Sequence, residues 1–446
     1  MSPHCKLPST QPLCYPHPMS SSATSPQEQS LATTTCIIGG GPAGIMLGFL
    51  LARAGIRVTV LEKHTDFFRD FRGDTIHPST LELLYELGLL EKFLALPHSQ
   101  INELSAFVGG EQFHIADFTH LPVHAKFIAL MPQWDFLNFL AAEAAHYPTF
   151  TLRMGWEATG LLQQDGITTG VEANTPNGPV KIPAHLTVGC DGRHAISRVA
   201  AHLPLIDYGV PIDVLWLRLP RHPGDPEYGL GYINYGRLIV LINRNDYYQV
   251  GYIVAKGTFP QIQQQGLAAF QQSIERVVPF LAGRTAELDS WDKIKLLTVE
   301  VNRLQQWSSP GLLCIGDAAH AMSPVGGIGI NIALQDAVAT ANMLTESLLA
   351  GAATPHDLAR VQHYRERAVH NTQRVQVFAH RVLNRVLRNP GPVKPPLLLK
   401  ILTAIPGFQQ LPARFVGMGL QPQHIKTPVA PSFQQPNPAG ISLPHG

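Results

Sequence analysis

Residues 34–63 read TTCIIGGGPAGIMLGFLLARAGIRVTVLEK, and their pattern decides the fold. Cys36-Ile37-Ile38 is a short apolar run suited to a strand buried on both faces. Gly39, Gly41 and Gly44 follow in G-x-G-x-x-G spacing, with Pro42 and Ala43 inside it. Ile45–Ala54 contains no proline and is followed by Gly55, the signature of a helix and its stop. Arg57–Leu61 is a second strand-like run, and Glu62 and Lys63 stand at its end. The first glycine permits the tight turn, the second lets backbone approach a pyrophosphate, and the third lets the helix pack on the strand. The helix N-terminus adds free N–H groups and the positive end of its dipole. Glu62 lies 23 residues beyond Gly39, where an acid accepts hydrogen bonds from ribose hydroxyls. Strand, glycine turn, helix, strand and acid in register predict a dinucleotide-binding βαβ unit.

Composition sets the bounds. A chain of 446 residues with 45% hydrophobic and only 15% charged content can bury a large core and divides into two or three domains. Its 33 Lys and Arg against 32 Asp and Glu give a net charge of +1, which implies no general attraction to nucleic acid or anionic membrane. The five cysteines include no CxxC, so neither a disulfide framework, a metal site nor a flavin disulfide reductase is indicated. Cys36, Cys190 and Cys314 sit in apolar runs and read as small core residues. Residues 1–32 are rich in Ser, Pro, Thr and Gln, lack a signal peptide's apolar segment, and read as a disordered leader. No apolar run reaches the roughly 18 residues needed to span a bilayer. A cytoplasmic protein is expected.

Beyond Glu62, the polar loop 67–77 carries Arg72, placed to reach a diphosphate, and leads into a helix ending at Gly88. Residues 101–131 are β-rich, and Pro132-Gln133-Trp134 opens another helix. An Asp165-Gly166 turn joins two strands. The strand Lys181–Val188 runs into Asp191-Gly192. From 206 to 291 short alternating strands dominate, followed by a helix over 261–277; this is the natural substrate domain. Gly311–Ile315 returns to a buried strand, meets Gly316-Asp317, and passes through Pro324, Gly327 and Gly329 into a helix ending at Leu349. Residues 356–388 form a long helix rich in Arg and His, expected to show a solvated positive face. The apolar segment Leu397–Ile405 is expected to pack on the body, with a peripheral membrane or partner contact as the alternative, and 428–446 to be disordered. The expected division is a nucleotide-binding domain at 33–100, 131–205 and 292–355, a substrate domain at 101–130 and 206–291, and a helical region at 356–427.

Three signals in this order, the glycine fingerprint at 39–44, Asp191-Gly192 and the Gly-Asp stretch at 316–331, resemble the single-component (class A) FAD-dependent aromatic hydroxylases, the family of para-hydroxybenzoate hydroxylase. The resemblance spans roughly residues 33–390. It implies an α/β fold: a Rossmann-like FAD-binding domain with an inserted, mainly antiparallel β domain and a C-terminal helical segment. It implies that Gly39, Gly41, Pro42, Ala43 and Gly44 hold the FAD diphosphate, that Glu62 and Lys63 lie at the adenosine ribose, and that Arg72 lies by the diphosphate and the flavin. Gln133 and Asp317, after Gly316, would bond the ribityl chain. Asp191 and Gly192 would serve both FAD and NAD(P)H. Pro324 would line the flavin's substrate face. Gly327, Gly329, Ile330 and Asn331 would stabilise negative charge at the flavin N1–C2=O edge.

The implied activity is that of an FAD monooxygenase. It takes a hydride from NADPH or NADH, adds O2 at flavin C4a, and oxygenates an aromatic, polyketide-like or other electron-rich small molecule. Only one fingerprint is present, in keeping with transient nicotinamide binding. No catalytic triad or carboxylate pair is required, and none is found. Trp216, Tyr232, Tyr235, Arg244, Tyr247 and Tyr248 are substrate-pocket candidates, and His77 and His320 are candidate proton relays. Ile328, Met322 and Ser323 depart from residues common in relatives, which leaves the substrate open. Other readings are a prenyl or alkene reductase and a flavin-binding protein without turnover. A halogenase is disfavoured, since Trp216-Leu217-Arg218-Leu219-Pro220 does not match its W-x-W-x-I-P segment.

Overall fold

The computed structural model describes residues 31–68, 75–226, 229–244 and 246–433. The expected leader up to residue 30, Arg72 and the end of the expected tail lie outside the described residues. Strand β1 (Thr33–Ile38) leads through the glycine turn to α1 (Pro42–Arg53) and β2 (Val58–Glu62). Helix α1 begins at Pro42, since proline suits the first helical position, where its missing N–H is not needed. Residues 43–52 are all buried, because this helix is covered on both sides. Gly48 belongs to that fit: a Cβ there would come within 2.9 Å of the Phe150 and Val60 side chains.

The chain continues through α2 (Pro78–Glu86), β3 (Glu103–Val108), β4 (Glu111–Asp117), α3 (Gln133–Ala144) and β5 (Phe150–Met154). The hairpin β6 (Glu157–Gln164) and β7 (Ile167–Thr175) follows. Its Asp165-Gly166 turn has φ of 51° and 77°, the pair of positive values a type I′ turn requires. Then come β8 (Gly178–Gly189) and α4 (Ile196–Ala200). The insert supplies β9 (Ile212–Pro220), β10 (Gly229–Asn234), β11 (Arg237–Asn243), β12 (Tyr247–Ala255) and β13 (Lys295–Thr298). Strand β14 (Leu312–Cys314) precedes α5 (Gly329–Leu349), α6 (Pro355–Leu387), α7 (Leu397–Ala404) and α8 (Gln410–Met418).

Two sheets organise these elements. The first has parallel order β14-β8-β1-β2-β5, with the β6–β7 hairpin attached to β8. The second has order β13-β9-β12-β11-β10-β3-β4 and is antiparallel except where β10 meets β3. This is the mixed α/β architecture expected. Strands β3 and β4 come from the first β-rich stretch, and β13 lies just past residue 291. No helix among the described residues is long and apolar enough to cross a membrane.

Three local expectations are corrected. The helix over 261–277 is two helices, Phe259–Gln264 and Leu267–Val277, because Gly266 between them takes φ +90°. The apolar segment 397–405 forms α7 on β4 but does not bury itself: Leu397 and Leu398 are 72% and 65% exposed. Residues 427–433 are not separate from the body. Ala430 is buried and donates its N–H to Arg53 O at 2.9 Å, and Arg53 reaches Thr427 O at 2.9 Å.

A buried ionic cluster ties α5, α6 and the end of β14 together. Asp336 Oδ1 accepts from Arg365 Nε at 2.9 Å, while Oδ2 lies 2.6 Å from His320 Nε2 and accepts from Gly316 N at 3.2 Å. Burial pushes the Asp336 carboxyl up. The His320 and Arg365 charges and hydrogen bonds together outweigh that and hold it below the usual carboxylate range. Removing one member leaves an uncompensated buried charge. Asp336→Ala should therefore cost about 3–5 kcal/mol in urea unfolding; a midpoint within error of wild type would show that the cluster is not ionised.

Candidate functional site

The register of the first sheet brings the three sequence signals to one edge. Ile38 pairs with Gly189 and with Leu61, and Gly189 pairs with Cys314. Each strand therefore ends level with its neighbours. The glycine turn, Cys190-Asp191-Gly192 and Ile315-Gly316-Asp317 all leave from the carboxyl edge, where ligands bind in open α/β sheets.

The glycines divide by what surrounds them. Gly39 has φ +105°, and a Cβ there would overlap the Cys190 carbonyl. A Cβ on Gly44 would overlap Gly39 O. These two are demanded by the protein itself. A Cβ on Gly41, by contrast, would meet no atom within 4 Å, and its φ of −73° suits any residue. Gly41 thus faces open space of the kind a diphosphate fills. Pro42 and Ala43 open α1, which has no side-chain cap and no acid in its first turn. The first bond there is Ile45 N to Gly41 O, so the Ala43 and Gly44 N–H groups precede it and can donate to an anion. Glu62 is buried at the end of β2 and accepts from Gly40 N at 3.1 Å and His64 N at 3.0 Å, which ties the acid to the turn. Lys63 is exposed, and Gln133 is half-buried at the start of α3.

Asp191 turns toward α4, accepting from Ser197 N at 3.0 Å and Ser197 Oγ at 2.7 Å. Burial raises its carboxyl's pKa, against these bonds. Gly192 takes φ +81°. The two aspartate motifs are joined by arginines: Arg193 Nε reaches Asp317 Oδ2 at 3.4 Å, and Arg198 donates to the Ala318 carbonyl at 3.3 Å and to the Arg193 carbonyl. Gly316 sits at φ +60° against Ala43 and Ala333. Asp317 keeps a side chain 36% exposed, accessible to a hydroxyl donor.

Helix α5 also starts without a side-chain cap. Its first intrahelical bond runs from Ile332 N to Ile328 O, leaving the N–H groups of Gly329, Ile330 and Asn331 to donate elsewhere. Asn331 fixes this end: its Oδ1 accepts from Thr80 Oγ1 at 2.6 Å and His77 N at 3.2 Å. His77 is fully buried. Its Nδ1 lies 2.8 Å from the Val416 carbonyl and so carries the proton. Nε2 then presents a lone pair with no partner among the described residues, beside Gly327, where a Cβ would come within 3.3 Å of it. Burial lowers the His77 pKa to about 4, so the ring is neutral. The orphaned acceptor, the open face at Gly41 and the two uncapped helix ends suit a large ligand with an anionic diphosphate and a polar ring edge. The residues fit FAD.

A set of functional side chains escaped the sequence reading. The inner face of α6 holds the loop that carries Pro324. Gln373 Nε2 donates to Asn302 O at 2.8 Å and Ala321 O at 3.1 Å. Gln376 donates to Ser323 O at 3.1 Å and accepts from Ser323 N at 3.1 Å. His380 Nε2 lies 2.7 Å from Ser323 Oγ. The signal was present as polar residues 373, 376 and 380 at helical spacing in line with Arg365 and Val369. His320 faces Asp336 rather than the loop's open side.

Strand parity separates the pocket candidates. Tyr232 and Tyr248 belong to the core under helix 267–277, and Tyr232 stacks on Phe107 at 4.9 Å. Tyr248 donates to Pro226 O at 2.6 Å. Tyr235 lies under Arg276 at 4.0 Å, and Tyr247 under Arg218 at 5.0 Å. Trp216, Ile233 and Val240 instead share a cluster with Val325, next to Pro324. Arg244 reaches Gln249 Oε1 at 3.2 Å. Among the described residues no group of three His, Cys, Asp or Glu could hold a metal ion.

Comparison with known proteins agrees with this geometry. A family model described as FAD binding domain matches residues 32–376. The 6-methylpretetramide 4-monooxygenase of Streptomyces rimosus is 28% identical over 422 residues, 93% of this chain and 99% of its own. The dialkyldecalin synthase of Streptomyces rugosporus is 25% identical over 403 residues, 87% of this chain and 80% of its own. Among solved structures, pqsL, a probable FAD-dependent monooxygenase from Pseudomonas aeruginosa, gives a TM-score of 0.69 at 20% identity over 80% of this chain and 99% of that one. This last likeness is one of fold. The chain belongs to the FAD-binding-domain family of class A aromatic hydroxylases, as its motifs implied; it is an oxidoreductase, and FAD is its cofactor.

Two measurements test this site. Gly41→Val should purify folded but colourless, because the added side chain takes the diphosphate's place and meets no protein atom. Gly44→Val should fail to fold, because it strikes the Gly39 backbone. A Gly41→Val protein as yellow as wild type would remove Gly41 from the cofactor site. The second concerns pH. Burial lowers His77 and His380 each to about 4, below the usual histidine value near 6.5. The unfolded chain takes up protons that the native state excludes, so stability is complete above about pH 6.5 and falls as pH drops toward 4. His380→Gln should flatten the pH dependence of the urea midpoint by about one proton, ~1.4 kcal/mol per pH unit. An unchanged slope would mean that His380 is charged in the native state.

Proposed function

We propose that the protein is an FAD-dependent monooxygenase that uses NAD(P)H and O2 to hydroxylate a flat, polycyclic, polyketide-like small molecule. The balance is one substrate, O2, NAD(P)H and a proton giving oxygenated substrate, NAD(P)+ and water. When bound, FAD supplies the hydride and oxygen chemistry.

The observation that supports this substrate class is a low floor on the second sheet. Register places Trp216 opposite Gly251, Gly251 beside Val240, Val240 beside Gly231, and Gly231 beside Ala106. These residues share one face of the sheet, the one whose Trp216 and Val240 cluster with Val325. The row is shallow at Gly231 and Ala106 and is bounded at the other end by an indole that lies over Gly251. Gly251 is held to glycine by that indole, since a Cβ would come within 3.1 Å of the Trp216 ring. Gly231 has only Ala106 near it, at 3.9 Å. A flat ring system can lie on such a floor with Pro324 toward its other side.

The chain's own residues bind, orient and exclude water. Free N–H groups at the start of α5 stabilise negative charge at the flavin edge. Gln376 and His380 hold Ser323, and so set Pro324. Glu62, Asp191, Asp317 and the open face at Gly41 are the nucleotide contacts, with Gln133 at the ribityl chain. With oxygen chemistry supplied by FAD when bound, the chain itself would need no acid–base pair. NAD(P)H dependence supports a cytoplasmic enzyme.

The test uses purified FAD-loaded protein, NADPH or NADH, O2 and a tetracyclic phenolic polyketide. Substrate-stimulated NAD(P)H oxidation and a product heavier by one oxygen are expected. A product of unchanged mass would point to synthase-type chemistry, and one heavier by two hydrogens to an alkene reductase. Gly231→Phe raises the floor, and should lift KM for the tetracycle by about tenfold or more with FAD absorbance intact.

A further inference from the structure

The balanced net charge hides a strong asymmetry. From Arg367 to Gly446 the sequence holds nine Lys or Arg and no Asp or Glu. All 32 acids lie in the first 366 residues, which carry 24 Lys and Arg. The body is therefore acidic and the C-terminal part uniformly basic.

The structure collects much of this charge on one helix face. In α6 the inner face carries Val369, Gln373, Gln376 and His380, all buried. The opposite face presents Arg374, Val375, Phe378, Arg381, Val382, Arg385 and Arg388, spaced at three, four and seven residues and all exposed. Phe378 is 66% exposed. Among the described residues none of these four arginines forms an ion pair. The link to α7 stays at one end of the second sheet. Val393 N donates to Asn234 Oδ1 at 3.0 Å, and the turns at Gly109 and Gly236, adjacent because β3 and β10 run parallel, pack against Val393 and Asn389. Helix α7 then turns Leu397, Leu398, Ile401 and Ile405 outward, between Lys394 and Lys400. Lys400 is paired with Glu111 at 2.6 Å, so its charge is compensated.

We propose that the outer faces of α6 and α7 dock on an anionic lipid surface. Large aliphatic and aromatic side chains interleaved with arginines on a convex helix are what an interfacial helix carries: the apolar groups enter the headgroup boundary and the cations meet lipid phosphates. A second copy of the chain is a poorer occupant, because a two-fold contact would set the four unpaired arginines of α6 against themselves.

The experiment is flotation of the FAD-loaded full chain with two kinds of vesicle, phosphatidylcholine alone and phosphatidylcholine with about one-third phosphatidylglycerol. Recovery with the anionic vesicles should exceed that with neutral ones at least several-fold and fall in high salt. Leu398→Glu combined with Ile401→Glu should abolish flotation, and Arg381→Gln with Arg385→Gln should weaken it, both with unchanged flavin absorbance. The proposal is overturned if wild type does not float with anionic vesicles, or if the Leu398→Glu, Ile401→Glu variant floats as well as wild type. A wild-type dimer that becomes monomeric in that variant, with no vesicle binding by either, would assign the surface to a second copy instead.

Discussion

Everything at this site depends on three strands ending level. Ile38, Gly189 and Cys314 are mutual neighbours through β8, so the chain segments that follow them crowd into one small space. That crowding forces glycine where the protein touches itself. Gly39 lies against the Cys190 carbonyl, and Gly44 against Gly39. It also forces charge compensation, since Asp191 and Asp317 emerge side by side. Arg193 meets Asp317 and Ser197 meets Asp191, while Arg198 bonds the Ala318 carbonyl and so locks the second motif to the third. A one-residue slip of β8 would turn Cys190 and Asp191 about and break both arginine links.

Helix α6 makes the second set of constraints. It is too long to be a simple cover. Its buried face carries polar groups, which is costly unless every one is bonded. Arg365, Gln373 and Gln376 are, and their partners are the buried carboxylate Asp336 and the backbone of the loop 320–325. Among the described residues, only His320 and Ala321 of the loop pair as a strand, with Arg303 and Asn302, and beyond Pro324 the positive φ of Gly326 and Gly327 interrupts regular structure. Side-chain amides replace the missing backbone partners. The position of Pro324 is thus set from a helix more than 50 residues further along the chain.

The legible part of this fold was the part governed by local backbone demands. The fingerprint, the Asp165-Gly166 turn and the Gly-Asp stretch each need particular residues at fixed offsets, so spacing alone reveals them. The pocket was less legible. Tyrosines in the insert attract notice, but whether Tyr232 or Gly231 shares a face with Trp216 and Val240 depends on parity, which the sheet register settles. The floor is marked by missing side chains, and a glycine in a strand reads first as a weakness. The break at Gly266 and the polar ladder of α6 were hidden for a similar reason: each is a response to a distant partner. Summed charge is silent on another point, because a total near zero carries no information about how charge is divided along the chain.

The bare helix ends at the site couple stability to binding. Helix α6, whose N-terminus lies away from the carboxyl edge, has a complete capping box: Thr354 Oγ1 accepts from Asp357 N at 3.2 Å, and the Asp357 carboxylate accepts from Thr354 N at 3.0 Å. Helices α1 and α5 begin at the two turns that form the site, and neither has a side-chain cap or an acid in its first turn. A missing cap costs roughly 1 kcal/mol. Other helices, such as α2, α3 and α8, also lack a side-chain cap, but the bare ends of α1 and α5 lie at turns where a diphosphate and a charged ring edge can complete them. A ligand that satisfies those N–H groups restores what the bare ends forgo, and it binds only the folded chain. Cofactor affinity and fold stability are therefore one linked quantity here. The structural role of Gly39 and Gly44 and the ligand role of Gly41 are two sides of that linkage: two glycines make the bare helix end possible, and the third keeps it open.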